Sequence, residues 1–590
     1  MLPYIADFLL SLALVFSVVQ CVQKFSKAGA ITSFLCLTAC FGILIYSFAV
    51  SDFSLRIVFE NSHSAKPLLY KISGTWGNHE GSIMMLTWML ALYGAAYAFM
   101  KHNALALSIQ GFVCALFIMY TKFASNPFVT FNFTPPNGLG LNPVLQDVGL
   151  AMHPPFLYLG YVGFSVVYSI SVAYLWQGKV GKAYAESVRK WCLLTWSLLT
   201  IGIGLGSSWA YRELGWGGFW FWDPVENASL MPWLASTALL HSLIITEKRK
   251  ALKKWTILLS IITFALSLVG FFLVRSGILT SVHSFASDPK RGLFMLGILV
   301  LIAGLGFLVF ALKSPKLKAE GDFDIISREG GILFNNMILM TLAATIFVGT
   351  VYPLVLEHSI SVGAPYYNYT FVPIALILLV VCAIFPQAKW VSEDLNKLAK
   401  KLLPCFVAAV IAGILLKSQE VFAIVFLAAS CLLNLRGKKT NELPMFLAHT
   451  GIAALALGIF FVSMFDESYE GVMKPGDVQK IAGYEVKFAD VQIGSKDNYV
   501  YRRGIFYANG IEMKPEMRVY PVEKDTTNEA AIHTHYLNDL YLVIGEASDN
   551  GFAVRIYHKP LMNLIWLALL VTAAGGFTAL AKRFKYPSRR

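Results

Sequence analysis

Four histidines and one run of tryptophans carry the residue types that could do chemistry in this chain. His153, His241, His283 and His449 offer imidazole nitrogens, the commonest protein ligands for a metal. The run 209–233, WAYRELGWGGFWFWDPVENASLMPW, holds five of the thirteen tryptophans: Trp209, Trp216, Trp220, Trp222 and Trp233. Gly215, Gly217 and Gly218 interrupt any helix there, and Glu213, Asp223 and Glu226 are its only acids. Two readings fit such density: a stacking platform for a large flat ligand, or a membrane-interface belt, although belts are usually spread over many helix ends. The eight cysteines form no CxxC and lie in or at the edge of apolar stretches, which argues against thiol–disulfide chemistry and cysteine metal sites.

The elements that position these residues are membrane spans. The 590 residues are 56% hydrophobic and only 14% charged, with a mean hydropathy of +0.60. Soluble domains carry about 25% charged residues, so the class is an all-α polytopic membrane protein. Apolar stretches of crossing length cover 4–22, 29–50, 81–100, 104–120, 156–176, 191–209, 230–245, 255–274, 293–312, 332–351, 371–385, 402–416, 421–435, 444–464 and 561–580. That is about fifteen transmembrane helices. The first lacks a charged leader and a small-residue cleavage site, so it reads as a retained span.

The formal net charge of +13 is distributed as topology signals, with no basic face of the kind that binds nucleic acid. Clusters at 24–27, 179–190, 248–254, 313–318, 397–401, 436–439 and 582–590 all fall on one side only if the N-terminus is outside and the C-terminus inside. This arrangement puts the Trp-rich run and the loops 51–80, 122–153 and 275–290 outside. Segment 465–560 is also outside; its runs 484–493, 517–522 and 539–544 alternate polar and apolar residues. Gly494, Asn509-Gly510 and Asn550-Gly551 punctuate it, so it reads as a small extracytoplasmic antiparallel β domain before the last helix, acting as a docking or lid module. The expected domains are 1–209, 210–229, 230–464, 465–560 and 561–590.

Topology then sorts the histidines. His241 and His449 lie on oppositely directed spans, each about 10 Å in from the basic end at 1.5 Å per residue. Two ionisable groups at one buried depth need partners, either a hydrogen bond to a neighbouring helix or axial ligation of a haem iron, and the matched depth favours the second. Ala448, Gly451, Ala453 and Ala454 would let a macrocycle approach that helix. His153 and His283 form a second pair on the outer face; either they reach a ligand resting on the tryptophans or they are interfacial polar residues. Pro154 and Pro155 place a helix start after His153.

At these residues the chain resembles a known family. WGGFWFWDPVENASLMPWL is similar to the WWD signature of the haem-handling proteins. HPPFLYLGYVGFSV, LLHSLIITEKR, LVRSGILTSVHSFASDP, WGNHEGS and DLYLVIGEASDNGFAVRIYHKP resemble segments of the CcmF/NrfE family of cytochrome c-type biogenesis proteins. The length, the span plan and the four histidines in register favour this family over shorter CcsA/CcsB-type synthases, and within it the resemblance is taken to the CcmF branch.

The resemblance implies a haem lyase subunit of System I cytochrome c maturation in the bacterial inner membrane, active on its extracytoplasmic face. It implies that His153 and His283 hold the iron of a haem in transit, and that His241 and His449 ligate a permanent haem b. Trp216, Trp220, Trp222 and Asp223 would contact the transit haem. The implied partners are the haem chaperone CcmE, CcmH (with CcmI where present) and apocytochrome c. The product would be thioether bonds between haem vinyls and a Cys-x-x-Cys-His motif.

Such chemistry needs positioning and no nucleophile from the chain, because the apocytochrome supplies its own thiolates. Arg275 and Arg212 are the outer-face candidates for the haem propionates, Arg275 alternatively being a helix-end anchor. Asp223 and Glu226 are expected to bind indole N–H groups or backbone, or to orient a histidine. Electrons for the transit haem are expected from a quinol through the His241/His449 haem. His79 is expected to hydrogen-bond Glu80 or its own loop, and His533 and His535 to be ordinary domain residues. Two other function classes compete: a haem exporter or transporter, and a quinol-oxidising b-haem subunit of a respiratory complex.

Overall fold

The computed structural model describes residues 1–100, 102–276, 289–318, 322–355, 362–433 and 442–585. The helices run α1 (Leu2–Gln20), α2 (Ser26–Ala49), the short α3 (Arg56–Asn61) and α4 (Leu68–Gly74), α5 (His79–Phe99), α6 (Ala104–Phe123), α7 (Val148–Trp176) and α8 (Lys182–Glu213). They continue as α9 (Pro224–Arg249), α10 (Lys253–Ser276), α11 (Pro289–Lys313), α12 (Arg328–Val355), α13 (Ala364–Ile384), α14 (Leu395–Leu415), α15 (Gln419–Leu433), α16 (Leu443–Met464) and α17 (Met562–Lys585). Among the described residues fourteen helices are long and apolar enough to cross a membrane, and α15 is a shorter apolar one. They coincide with the fifteen expected spans, and the chain is a multi-pass membrane protein.

The two ends of the bundle differ in charge. At one end lie the start of α1, the Trp-rich turn between α8 and α9, and the β domain; Lys122 pairs with Asp7 there at 2.6 Å. At the other end lie the described basic clusters. There Lys27, Lys190 and Lys313 rest on the rings of Phe99, Phe584 and Trp176. The cluster at 436–439 lies outside the described residues.

Burial separates the inner helices from the lipid-facing ones. Spans α5 and α7 are each 78% buried, whereas α13 is 17% buried. The densest contacts use small residues. Gly160 and Gly202 let the backbones of α7 and α8 meet at Leu199 and Leu157. Gly451 meets α17 in the same way: a Cβ there would lie 2.2 Å from Thr572 Oγ1. This corrects the expected role of Gly451, which admits a neighbouring helix and not a macrocycle.

A second correction concerns α7, which begins well before its double proline. Asp147 caps it by accepting from Leu150 N at 3.1 Å, so His153 sits within the helix and not ahead of it. Pro155 cannot donate to the carbonyl of Ala151, and the Trp76 indole N–H takes that acceptor at 3.2 Å instead. A tertiary donor thus replaces the missing helical bond, which lets the helix run through both prolines.

Between α16 and α17 the chain forms β1 (Glu467–Met473), β2 (Val478–Ile481), β3 (Tyr484–Lys496), β4 (Tyr499–Ala508), β5 (Ile511–Met513), β6 (Glu516–Tyr520), β7 (Asp525–Glu529), β8 (Ala531–His535), β9 (Asn538–Ser548) and β10 (Gly551–Lys559). One antiparallel sheet has the order β1-β10-β9-β8 and the other β2-β3-β4-β6-β7, with β5 beside β4. Inward residues of the two sheets share a core in which Phe488 and Phe506 stack at 4.3 Å. Asn509-Gly510 makes the expected tight turn with φ of 48° and 83°. Gly494 does not: it lies inside β3 under the Tyr501 ring, and the turn falls at Asp497.

Outside the bundle, between α3 and α4, Lys66 is only 3% exposed and donates to the Asn61 carbonyl at 3.0 Å. Burial pushes its ammonium down to about 7. The folded chain therefore binds fewer protons at Lys66 than the unfolded chain between about pH 7 and 10, and stability from this group rises with pH across that window. Lys66→Met is expected to raise the melting temperature at neutral pH and to remove up to about 1.4 kcal/mol per pH unit of this slope. Thermal denaturation of both proteins in detergent at several pH values measures it; parallel pH profiles would contradict the assignment.

Candidate functional site

The Trp-rich run forms a non-helical turn from Leu214 to Asp223 between two long helices. Its backbone leaves the helix at Gly215 and Gly217, both at positive φ (69° and 65°). It re-enters a helix at Pro224 through a capping box. Asp223 accepts from Val225 N at 3.0 Å, while Glu226 Oε2 accepts from the backbone N–H groups of Phe221 and Asp223 at 2.9 and 3.1 Å. Of the roles expected for these two acids, the structure displays the backbone one.

Trp222 is held in the left-handed region at φ 57°, where a bulky residue is strained. Two contacts compensate. Its indole stacks on Tyr367 of α13 at 4.1 Å and 8°, and its carbonyl accepts from Asn227 Nδ2 at 3.0 Å. Trp220 stands edge-on to Trp222 at 6.1 Å, and Trp216 is 45% exposed with Phe221 against its edge. Trp209 belongs elsewhere: it is buried among Leu141, Leu145 and Leu150.

His153 is brought to the foot of this turn. Its Nδ1 lies 2.8 Å from the Gly202 carbonyl, and its ring covers Gly206, where a Cβ would lie 2.4 Å from the imidazole. The next residue, Ser207, donates to the Phe219 carbonyl at 2.6 Å. His283 lies outside the described residues.

Of the two expected cations, Arg275 donates from Nη2 to Ser82 and Tyr158, each at 2.6 Å, and so ties α10 to α5 and α7. Arg212 is more open; it pairs with Asp147 at 3.7 Å and donates to the Ser208 carbonyl at 3.3 Å. His79 is buried against Tyr120, whose hydroxyl is 3.2 Å from Nε2, and Glu80 pairs instead with Arg291 at 2.7 Å. The expected His79–Glu80 bond is therefore replaced by a contact with α6. His533 and His535 lie on β8, and no group of three metal-ligating side chains occurs among the described residues.

Below the turn a cavity of about 2040 Å³ follows α8, α9, α12, α13, α16 and α17 through the bundle, from Trp220 and Trp222 to Glu247 and Arg583. His241 and His449 face each other across it, with ring centres 6.3 Å apart. The His241 Nδ1 is engaged with the Thr237 carbonyl at 2.8 Å, which leaves Nε2 as its ligating nitrogen. His449 Nδ1 is buried with no hydrogen-bond partner among the described residues. An imidazole–metal bond of about 2 Å on each side, plus about 1.1 Å from each ring centre to its nitrogen, spans roughly 6 Å. One iron between the rings fits that separation.

The wall between this pair and the turn is aromatic. Trp196 and Trp233 stack at 5.8 Å and 22°. Their indoles donate to the hydroxyls of Thr237 and Thr200, each at 2.8 Å. Thr237 is also the residue that orients His241.

The β domain, expected as a docking or lid module, sits over the turn, through contacts that sequence reasoning did not name. The Tyr557 ring lies over Gly217, Tyr211 donates to Asp539 at 3.2 Å, and Phe219 packs with Ile532 and Trp566. Glu523 reaches the 139–146 segment, accepting from Leu141 N at 3.1 Å. No sequence signal announces this contact, because nothing local links Gly217 to a residue as distant as Tyr557.

The helical bundle with a Trp-rich turn under a β-sandwich defines a multi-pass membrane protein with one extramembrane domain. Residues 76–280 match the Cytochrome C assembly protein family and residues 464–560 match the CcmF C-terminal beta-sandwich. The chain is 43% identical to the cytochrome c-type biogenesis protein CycK of Rhizobium meliloti, over 94% of this chain and 89% of that protein. It is 39% identical to Escherichia coli CcmF, over 94% and 91% of the two chains. It is 38% identical to Haemophilus influenzae NrfE, over 92% and 90%. A solved structure titled Cytochrome c Heme Lyase CcmF has the same fold, with a TM-score of 0.83 and 24% identity over 98% and 97% of the chains. The chain belongs to the CcmF, CycK and NrfE family of cytochrome c-type biogenesis proteins.

Gly217→Ala tests the coupling between turn and sandwich. The new Cβ would lie 2.8 Å from the Tyr557 ring at a φ that costs a non-glycine residue about 1–2 kcal/mol. The expected outcome is a loosened β domain, seen as faster protease cleavage around residues 465–467 and 560–562 with the helical circular dichroism retained. Cleavage at the wild-type rate would contradict the coupling.

Proposed function

We propose that the chain is the haem lyase subunit of System I cytochrome c maturation, working on the extracytoplasmic side of a bacterial inner membrane. In this orientation the N-terminus and the Trp-rich turn are outside and the basic C-terminus is inside, as the one-sided distribution of the basic clusters supports. The observation that carries the reading is the facing pair His241 and His449, 6.3 Å apart in a cavity that continues to an aromatic turn.

The chain's own residues position two haems. His241 and His449 hold a permanent haem b, His241 being fixed in ring orientation by its bond to Thr237. Such a haem supplies one-electron transfer when bound. The outer substrate haem, delivered by the chaperone CcmE, takes axial ligands from His153 and His283. Trp216, Trp220 and Trp222 bury one of its faces, and Asp223 holds the turn beside it. CcmH, with CcmI where present, presents apocytochrome c, whose two thiolates add to the haem vinyls. Fixing ring and thiolates at one angle is the catalytic contribution expected of a rigid turn braced by side-chain hydrogen bonds.

Arg212, 43% exposed beside α7, is the more open of the two candidates for a propionate of an incoming haem, while Arg275 commits Nη2 to Ser82 and Tyr158 and keeps a buried Nε with no partner among the described residues. A haem held by His241 and His449 would supply one-electron chemistry with a quinol as donor, and the Trp196–Trp233 stack would stand on the electron path between it and the outer site. The relatives named CcmF and CycK support assignment to general cytochrome c maturation.

The purified chain is expected to carry haem b, and His241→Ala or His449→Ala to remove or shift its absorption bands. A pyridine haemochrome assay beside the visible spectrum reads both, and unchanged spectra in the variants would sink the ligation. Anaerobic addition of a quinol is expected to reduce the band in the wild type; a band that stays oxidised would eliminate the electron path.

A further inference from the structure

The cavity that holds the histidine pair is charged at one end only. Among the described residues lining it, the cations are Arg189 and Lys190 on α8, Lys248 on α9, Arg328 on α12, and Lys582 and Arg583 on α17. All six lie at the basic end. Glu186, Glu247 and Glu442 are the carboxylates there, so positive charge is in excess. Toward the Trp turn the walls are aromatic and aliphatic, and Glu420 is the one charged lining residue.

Two of these cations are built into the wall and are not solvated surface groups. Arg189 and Arg583 both bind Glu247 Oε2, Arg189 at 3.1 Å, and each arginine side chain is 17% exposed. One carboxylate oxygen shared by two guanidiniums leaves donors over. The Arg189 Nε is buried with no hydrogen-bond partner among the described residues. A buried guanidinium N–H without an acceptor is costly unless a ligand supplies one. Three of the other four cations rest on aromatic rings: Lys190 sits over Phe584 at 5.2 Å, and Lys248 and Arg328 over Trp390 at 4.7 and 5.3 Å. Glu247 is six residues beyond His241 on α9, a rise of about 9 Å, which is within reach of the carboxylates of a porphyrin whose iron lies between the imidazoles.

We propose that Arg189, with Arg583 beside it, binds the propionates of the haem held by His241 and His449, so that this macrocycle lies with its acidic edge at the basic end and its apolar edge toward Trp196 and Trp233. This rests on the histidine pair holding a haem. The orientation follows from charge: in a cavity with all its cations at one end, a dianionic ligand turned the other way would bury both carboxylates against aromatic walls. The bonds would be charge-assisted and directed, as guanidinium–carboxylate pairs are. The edge facing the outer site is then the one without charged substituents, and the Trp196–Trp233 stack is its neighbour. Arg189 and Arg583 are positioning residues in this assignment.

The test uses the full-length chain purified with its haem. Arg189→Gln is expected to keep the histidine-ligated absorption bands and to lower the midpoint potential. Loss of a nearby positive charge favours the ferric form, which carries one more positive charge than the ferrous. Arg189→Lys is expected to recover part of the shift, and Lys248→Gln to shift it in the same direction by less. A second measurement avoids substitution altogether: wild-type chain depleted of haem and reloaded with protohaem dimethyl ester, which has no carboxylates, is expected to bind at least about tenfold more weakly than with protohaem. Equal affinity for ester and acid, or an unchanged potential in Arg189→Gln, overturns the assignment while leaving the histidine ligation standing. A wild-type chain that carries no haem overturns both.

Discussion

A stretch of non-helical backbone at the rim of a membrane bundle needs partners for its N–H and C=O groups, and the turn at residues 214–223 takes several of them from side chains. Glu226 takes two of its N–H groups, Asn227 and Ser207 donate to two of its carbonyls, and Asp223 caps the helix that follows. Because these bonds come from α8 and α9 themselves, the turn is a fixed part of the helical frame. That rigidity lets Trp222 persist at a strained backbone angle and lets the indoles present defined faces. The β domain then has a firm surface to sit on, and Tyr557 packs directly over Gly217.

The same frame sets the depth of the inner pair. Trp233 and His241 share α9, so the platform and the imidazole are two points on one rigid rod, about 12 Å apart at helical rise. His449 comes from α16, which is locked to α17 through Gly451 and Gly458, and α17 in turn returns to α9 through Arg583 and Glu247. The separation of the two rings is therefore set by helix packing and not by flexible loops. A ligand bridging them would meet a preformed gap, which lowers the ordering cost of binding.

Much of this was legible because it depends on local properties. Span length and charge position are read within twenty residues of each site, and they put His241 and His449 at one depth before any contact was known. The alternation in β3, β6 and β9 was equally local. What escaped was set by distant partners. His79 chose Tyr120 over its neighbour Glu80 because α5 and α6 pack face to face. Pro154 and Pro155 look like a helix start, yet the helix runs through them because Trp76, far earlier in the chain, supplies the donor that Pro155 lacks. Tyr367 lies beneath Trp222 with no motif announcing it. Gly451 read as space for a ligand, and only the position of α17 shows that the space is already taken.

Charge placement does two jobs in one arrangement. Topology requires the basic residues at one end of the bundle, and any that face inward from those helix ends must line the cavity wherever it opens toward that side. Lys248 and Arg583 lie in the last turns of α9 and α17, and Arg189 about two turns into α8, all positions that a topology signal alone would explain. Their inward direction and the carboxylate shared by two of them are not explained that way, since an orientation signal works as well from a solvated surface. A polytopic chain that must keep cations at one end would gain an oriented anion site there by turning a few inward, and would keep the opposite end aromatic at no electrostatic cost. The apolar end of such a cavity then falls beneath the turn, where Trp196 and Trp233 already stand between the two sites.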